Sequence, residues 1–205
     1  MADYRAIEGV TEALVQLLRL NYDPVFFDGH GLQVQPYLAQ NFAQPMSAGV
    51  SFFLYRITIN GSHRIPNGRL APDGRRYPSR LPLDLRYLLT AWAQDATLQH
   101  RVLGWAMRTI EDTPVLPHGF LESAAPGVFL PDETVEVVPD ELPNEDFFRI
   151  WETLGQNVTY RLSVPYVARN VRIEAQEPLD LAGPAVQERL LRYARKHVAT
   201  EADER

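Results

Sequence analysis

Apolar positions near the start of the chain repeat every three to four residues. Ile7, Val10, Leu14, Leu17 and Leu18 fall on one stripe of a helix. The pattern predicts a helix from about Tyr4 to Leu20, with Asp3 as its N-cap. Asp23-Pro24 and Asp28-Gly29 then read as turns. A short strand is expected from Leu32 to Leu38, where Pro36 restricts pairing to an edge or a bulge. From Val50 to Asn60 the period changes to two. Phe53, Tyr55, Ile57 and Ile59 share one face, and Phe52, Leu54, Arg56 and Thr58 share the other. Both faces begin apolar, which predicts a central strand covered on both sides. Pro66, Pro72 and Pro78, with Asn67-Gly68 and Asp73-Gly74, resist a regular element. They predict a projecting arm or hairpin that turns at Asp73-Gly74. Leu83 to Trp92 returns as a second strong strand.

Beyond it, Asp95 caps an expected helix from Ala96 to Glu111, with Leu98, Val102, Trp105, Ala106 and Ile110 inward. Thr113-Pro114 stops it. The stretch from Pro114 to Pro143 is rich in proline and acid, and accommodates one or two short strands, such as Thr134 to Val138. Asn144 is expected to cap another helix, with Glu145 and Asp146 in the first turn, where the dipole favours acids. Phe147, Ile150, Trp151 and Leu154 face inward, and Gly155 ends it. Val158, Tyr160, Leu162 and Val164 alternate, so a strand pair or bent strand is expected through Glu174, with a bulge or bend at Pro165. From Gln176 the chain changes character. Glu177-Pro178 and Gly183-Pro184 read as a linker, and Pro184 suits the first turn of a helix. Val186, Leu190 and Tyr193 make too narrow a stripe to fold alone, so this appendage is expected to dock on its own domain or, preferably, on a neighbour. The expectation is an α/β (α+β) domain over residues 1–175, followed by a linker and helical arm over 176–205. The domain has a mixed, largely antiparallel sheet packed by about three helices. No internal repeat is present.

Composition bounds the function. The chain has 205 residues, 45% hydrophobic and 22% charged, typical of one soluble domain with or without a tail. No run approaches the ~18 apolar residues of a membrane-spanning helix. The start, MADYRAIEGV, lacks the basic and apolar regions of a signal peptide, so cytoplasmic synthesis is expected. The absence of cysteine excludes disulfides, thiolate zinc sites and thiol nucleophiles. A net charge of −6 makes DNA or anionic lipid a poor default partner.

The mean conceals a strong polarity. Residues 61–80 hold five arginines, Arg64, Arg69, Arg75, Arg76 and Arg80, against one acid, Asp73. Residues 111–146 hold ten acids and no lysine or arginine. Lys196 is the single lysine, so the positive charge is almost wholly arginine, whose planar fork suits ordered contacts with carboxylate or phosphate. One reading is two solvated loops. The other is a basic arm and an acidic face that meet on neighbouring copies.

Motifs for chemistry are sparse. Neither common glycine-rich phosphate loop occurs, nor a Gly-x-Ser-x-Gly elbow. His30, His63, His100, His118 and His197 are scattered without a helical metal pair. His118 is the best-placed metal ligand, yet no metal or cofactor is expected. The acids of 111–146 leave an acidic-residue hydrolase open, with Asp132 and Glu133 as its test positions. The arm leaves a nucleic-acid-binding module open, although Tyr77 is its only aromatic and interleaved stacking is missing. Trp105 and Trp151 read as core residues, and Trp92 fits either a core or a ligand platform.

Four stretches carry a family resemblance. They are AIEGVTEALVQLL, LPLDLRYLLTAWA, HRVLGWAMRTIEDTPVL and IWETLGQNVTYRLSVPYVARNVRIE. In order and spacing, across about residues 4–174, the chain resembles the tail-terminator or cap-adaptor proteins of extracellular contractile injection systems, the phage-tail-like particles of the virulence-cassette and antifeeding-prophage type. The resemblance implies a tail-terminator-like fold and a structural, non-enzymatic role. It implies a hexameric ring that ends the inner tube and anchors the last sheath layer. The implied partners are further copies of the chain, tube protein and sheath protein, with no nucleic acid and no membrane insertion. Assembly would be cytoplasmic, in a particle that can be released. The resemblance supplies no individual functional residues. Charge and proline content alone place inter-subunit or tube contacts on Arg64, Arg69, Arg75, Arg76 and Arg80, with Asp132, Glu133 and Glu136 on the acidic side.

Overall fold

The computed structural model describes residues 3–63, 68–70, 74–155 and 158–179. In chain order the elements are α1 (Ala6–Leu20), β1 (Gln33–Tyr37), β2 (Gly49–Ile59), β3 (Arg69–Leu70), β4 (Arg76–Tyr77), β5 (Leu81–Trp92), α2 (Ala96–Asp112), β6 (Val115–Leu116), α3 (His118–Ala124), β7 (Val135–Pro139), α4 (Asn144–Thr153) and β8 (Ser163–Ile173). Six strands form one sheet in the order β1-β2-β5-β8-β7-β6, and β3 pairs with β4 in a separate hairpin. Only β1 and β2 run parallel; the other pairs are antiparallel. The expected mixed, largely antiparallel sheet is therefore present, with four helices around it.

Local chemistry explains most boundaries. The Asp95 carboxylate accepts from Leu98 N at 2.9 Å, which caps α2 as its sequence predicts. Asp3 lies two residues too early to be the cap of α1. It accepts from Arg5 N at 2.8 Å, and Arg5 occupies the N-cap position without a side-chain bond. Asn144 is the first helical residue of α4, after Pro143, and is not its cap. Pro36 sits on the edge strand β1, opposite Phe52, where a missing N–H is tolerated. Helix α3 was not legible in the sequence, because Phe120 and Leu121 alone are too few to make a stripe. It packs close to α1: Gln16 Nε2 donates to Ser123 Oγ at 3.1 Å, and a Cβ on Gly9 would come within 2.9 Å of the Cβ of Ala125 at the end of α3.

Two strand expectations fail. Residues Val158 to Leu162 are not in a strand. Tyr160 instead packs edge-on to Trp151, with centroids 5.5 Å apart, so its alternation serves contact with α4. The bulge expected at Pro165 lies further on. Pro165 pairs regularly with Leu88, and its carbonyl accepts from Asp140 N at 2.9 Å, just past the last paired residue of β7. The missing proline N–H therefore leaves no ladder bond unmade. The register shifts instead opposite Leu83 and Leu85, where Asn170 adopts φ 56°, a conformation asparagine tolerates.

The core lies between the sheet and α1, α2 and α3. Leu14, Leu18, Leu85, Leu89, Val102 and Ile110 are fully buried there, each contributing roughly 1.5–3 kcal/mol of transfer free energy. Trp105, expected inside, is only partly buried against this core. A smaller aromatic cluster of Tyr37, Phe42, Leu88, Trp92 and Trp151 fills the opposite face at one end of the sheet. The helix expected from Pro184 lies outside the described residues.

Candidate functional site

The basic arm and the acidic segment converge at the other end of the sheet, around the β8 bulge. The arm forms the hairpin β3–β4, pairing Arg69 with Tyr77 and Leu70 with Arg76. Gly68 has φ 72°, and a Cβ there would lie 2.6 Å from the Tyr77 carbonyl, so this position requires glycine. Tyr77 is buried, and the Arg69 guanidinium lies over its ring, 5.3 Å from the centroid, a cation–π arrangement. Leu179 N donates to Arg76 O at 2.6 Å, so the last described residues run along the hairpin.

The arm's arginines divide into groups. Arg69 and Arg80 both pair with Glu174, whose side chain is completely buried. Arg80 Nε stands 2.7 Å from Oε1 as an ion pair without hydrogen-bond alignment. Arg75 and Arg76 are exposed on the hairpin. Arg64 and Asp73 lie outside the described residues.

The acids divide similarly. Glu133 is buried at 8% exposure. Its Oε2 accepts from Leu130 N at 2.8 Å, while Glu133 N donates to Leu130 O at 2.9 Å, closing a turn. Its Oε1 has no hydrogen-bond partner among the described residues. Burial pushes its carboxyl above the usual carboxylate range, opposed by the fields of Arg80 and Arg172. Glu136 meets Arg169 at 3.4 Å across β7 and β8. Asp132 is exposed on the turn before β7. Asp140 binds Arg86, and Asp112 binds Arg108. Three of the ten acids of residues 111–146, Asp112, Glu136 and Asp140, thus form ion pairs within the chain.

Two clefts of about 430 Å³ each flank this junction. One is bordered by Asp132, Glu133, Glu136 and Arg169. The other is bordered by Arg69, Ser79 and Arg80. His63, Asn170 and Arg172 line both. Asp84 organises the wall between them. Its Oδ1 accepts from Asn170 N at 3.0 Å and from Asn60 Nδ2 at 3.2 Å. Sequence reading missed Arg172 and Glu174 because their local charge balances. Their spacing of two within the strand expected through Glu174 was the available signal, since it aims both at one face.

A second ionic group lies near the aromatic cluster. Arg86 donates to Asp140 Oδ2, and the Tyr55 hydroxyl donates to the same oxygen at 3.3 Å. Burial, with the Asp140 charge adding to it, pushes the Tyr55 phenol up to about 12. No group of three or more metal-ligating side chains occurs among the described residues. No helix among them is long and apolar enough to cross a membrane. The chemistry offered by the junction is ionic recognition by fixed guanidiniums.

Comparison with known proteins gives the same fold family that the sequence resembles. A family model described as the Pvc16 N-terminal domain matches residues 9–188. The chain is similar to the sheath/tube terminator of the extracellular contractile injection system PVC in its extended state, at 22% identity and TM-score 0.56, over 85% of this chain and 58% of that one. It is also similar to the tube-terminating cap of the anti-feeding prophage, at 20% identity and TM-score 0.52, over 82% of this chain and 55% of that one. At these identities the likeness is one of fold. The chain spans a little over half the length of these structures. No curated protein matches it.

Proposed function

The chain belongs to the Pvc16 N-terminal domain family, and from that membership we propose that it is a structural cap of a contractile injection particle. In this reading it forms a hexameric ring that ends the inner tube and anchors the last sheath layer. Its partners are further copies of itself, tube protein and sheath protein, and its work is assembly without catalysis. Residues 1–175 act as the terminator domain and 176–205 as an arm that reaches a neighbour. The observation that carries the reading is the family match over residues 9–188. The terminator and cap folds of the two solved structures support it.

Contacts between subunits or with the tube are assigned to the arm, at Arg64, Arg69, Arg75, Arg76 and Arg80, with Asp132, Glu133 and Glu136 as the acidic counterpart. Arg75, Arg76 and Asp132 are the exposed members of this set that lie on the hairpin and on the turn before β7. Arg69, Arg80 and Glu133 contribute by holding the junction in shape. A head-to-tail ring joins two different patches at each boundary, and complementary charge fixes their register.

Electron microscopy of the purified protein, alone and with tube and sheath proteins, tests the assembly. A closed ring of about six copies that docks on tube ends is expected. A monomer with no affinity for tube or sheath overturns the proposal. Charge reversal of Arg75 and Arg76 together should weaken ring assembly and make it more sensitive to salt. Normal assembly of that variant at low and high salt removes the arm from the interface.

A further inference from the structure

The cleft between the hairpin and β8 is built for an anion. Three arginines, Arg69, Arg80 and Arg172, line it together with Ser79 and His63, and among the described residues no carboxylate does. Two of the three are fixed from below, because Arg69 and Arg80 both pair with the fully buried Glu174. The stacking of Arg69 over Tyr77 holds its plane as well. Arg172, half-buried on β8, makes no ion pair or hydrogen bond among the described residues. Its charge acts on the Glu133 carboxyl. Arginines held by a buried carboxylate lose little side-chain freedom when a ligand arrives, which favours binding.

We propose that this cleft binds a carboxylate, clamped by Arg172 with Arg80 and Arg69, and that Glu174 is the positioning residue beneath it. The charge and the geometry select the class. Glu174 already offsets part of the charge of Arg69 and Arg80, so a monoanion suits the cleft better than a phosphate dianion. The planar fork of arginine matches a carboxylate through paired N–H donors. Ser79 and the Asn170 amide border the same space and offer neutral donors. This inference goes beyond the cap reading and does not depend on ring formation: the monomeric chain would bind a carboxylate equally.

Titration of the full-length chain, followed by NMR at the arginine Nε–Hε resonances, tests it. The probes are N-acetylglutamate, a synthetic peptide of residues 131–141 of this chain, and inorganic phosphate. Both carboxylate probes should give saturable shifts at Arg172, tighter than about 10 mM, and phosphate should bind more weakly. Tighter binding of the peptide than of N-acetylglutamate identifies a protein-borne carboxylate as the natural source. Equal binding identifies a small carboxylic acid. Arg172→Ala should weaken binding about tenfold, the loss of one charged donor. Arg172→Lys should retain part of the affinity and serves if the alanine variant fails to fold. Arg149→Ala, exposed on α4 and outside the cleft, should leave it unchanged. Glu174→Gln should weaken binding despite removing a negative charge, because Arg69 and Arg80 lose their anchor; a purely electrostatic role for Glu174 would strengthen it. Phosphate binding as tight as carboxylate, no saturation by either carboxylate, or unchanged binding in Arg172→Ala overturns the proposal.

Discussion

Along β5, Leu83, Leu85, Tyr87, Leu89 and Ala91 join the core beneath α1, α2 and α3, while Asp84, Arg86, Leu88, Thr90 and Trp92 alternate with them on the opposite face. The first set is continuous and apolar, and its one hydroxyl is satisfied: Tyr87 lies 2.9 Å from Thr11 Oγ1. The second set changes character along the strand. Trp92 belongs to the aromatic cluster and donates to Ser51 at 2.8 Å. Thr90 meets Ser163 at 2.9 Å. Arg86 meets Asp140, and Asp84 holds Asn60 and Asn170. One face therefore rests on non-directional burial, which tolerates repacking when volume is kept. The other rests on paired polar groups, where each partner depends on the one opposite.

Mutation separates the two faces most strongly on the apolar side. Leu89→Ala removes a fully buried side chain from the helix-covered core and should cost about 3 kcal/mol in urea unfolding. Leu89→Met should cost under about 1.5 kcal/mol, because volume is conserved. Equal losses from both variants would show that this face depends on shape as strictly as the other.

The ionic face should behave differently. Asp140→Asn leaves the part-buried Arg86 without its anion and should cost about 2 kcal/mol. The double variant Arg86→Met with Asp140→Leu should recover much of that loss, since an unpaired buried charge costs more than an apolar pair. Additive losses in that cycle would sink the idea of mutual dependence. In Asp140→Asn the Tyr55 phenol should also titrate at lower pH in a spectrophotometric titration, because the negative charge opposing its ionisation is gone.

The smallest effect has the opposite sign. Burial raises the Glu133 carboxyl, so the native state retains its proton more readily than the unfolded chain. Stability then falls as pH rises from the ordinary carboxylate range through the raised value. Glu133→Gln carries no such term and should match or exceed the parent melting temperature at pH 7. The difference should close below about pH 4. A variant that melts lower at neutral pH would mean that the charged form is the one the junction needs.

The regular elements were legible where one period dominates. Helices α1, α2 and α4 and strands β2 and β5 follow from spacing and stops, and α2 from its cap as well, because their burial partners need only be apolar. Helix α3 and the 158–162 segment were not legible. In both, a few apolar residues take their conformation from contacts with distant elements, α1 in one case and α4 in the other. The site was half legible. Charge counting found the arm and the acidic segment, but gave Arg69 and Arg80 the same role as Arg75 and Arg76. Only the pairing of the first two with Glu174 separates them.

By itself, the sequence determined the class of fold, the two-sided character of β2, the terminator-like order of motifs and the linear polarity of charge. Each of these is a local property, written in residue type and period. The tertiary structure decided which charges remain available. Ion pairing acts over a few ångströms between residues up to a hundred or so positions apart, as with Arg69 and Glu174, whose sequence separation is 105. Backbone register fixes those distances, and the bulge at Asn170 sets which way Arg172 and, just past β8, Glu174 face. A run of like charge in the sequence thus becomes, in the fold, some internal pairs, exposed arginines and acids, and one basic cleft.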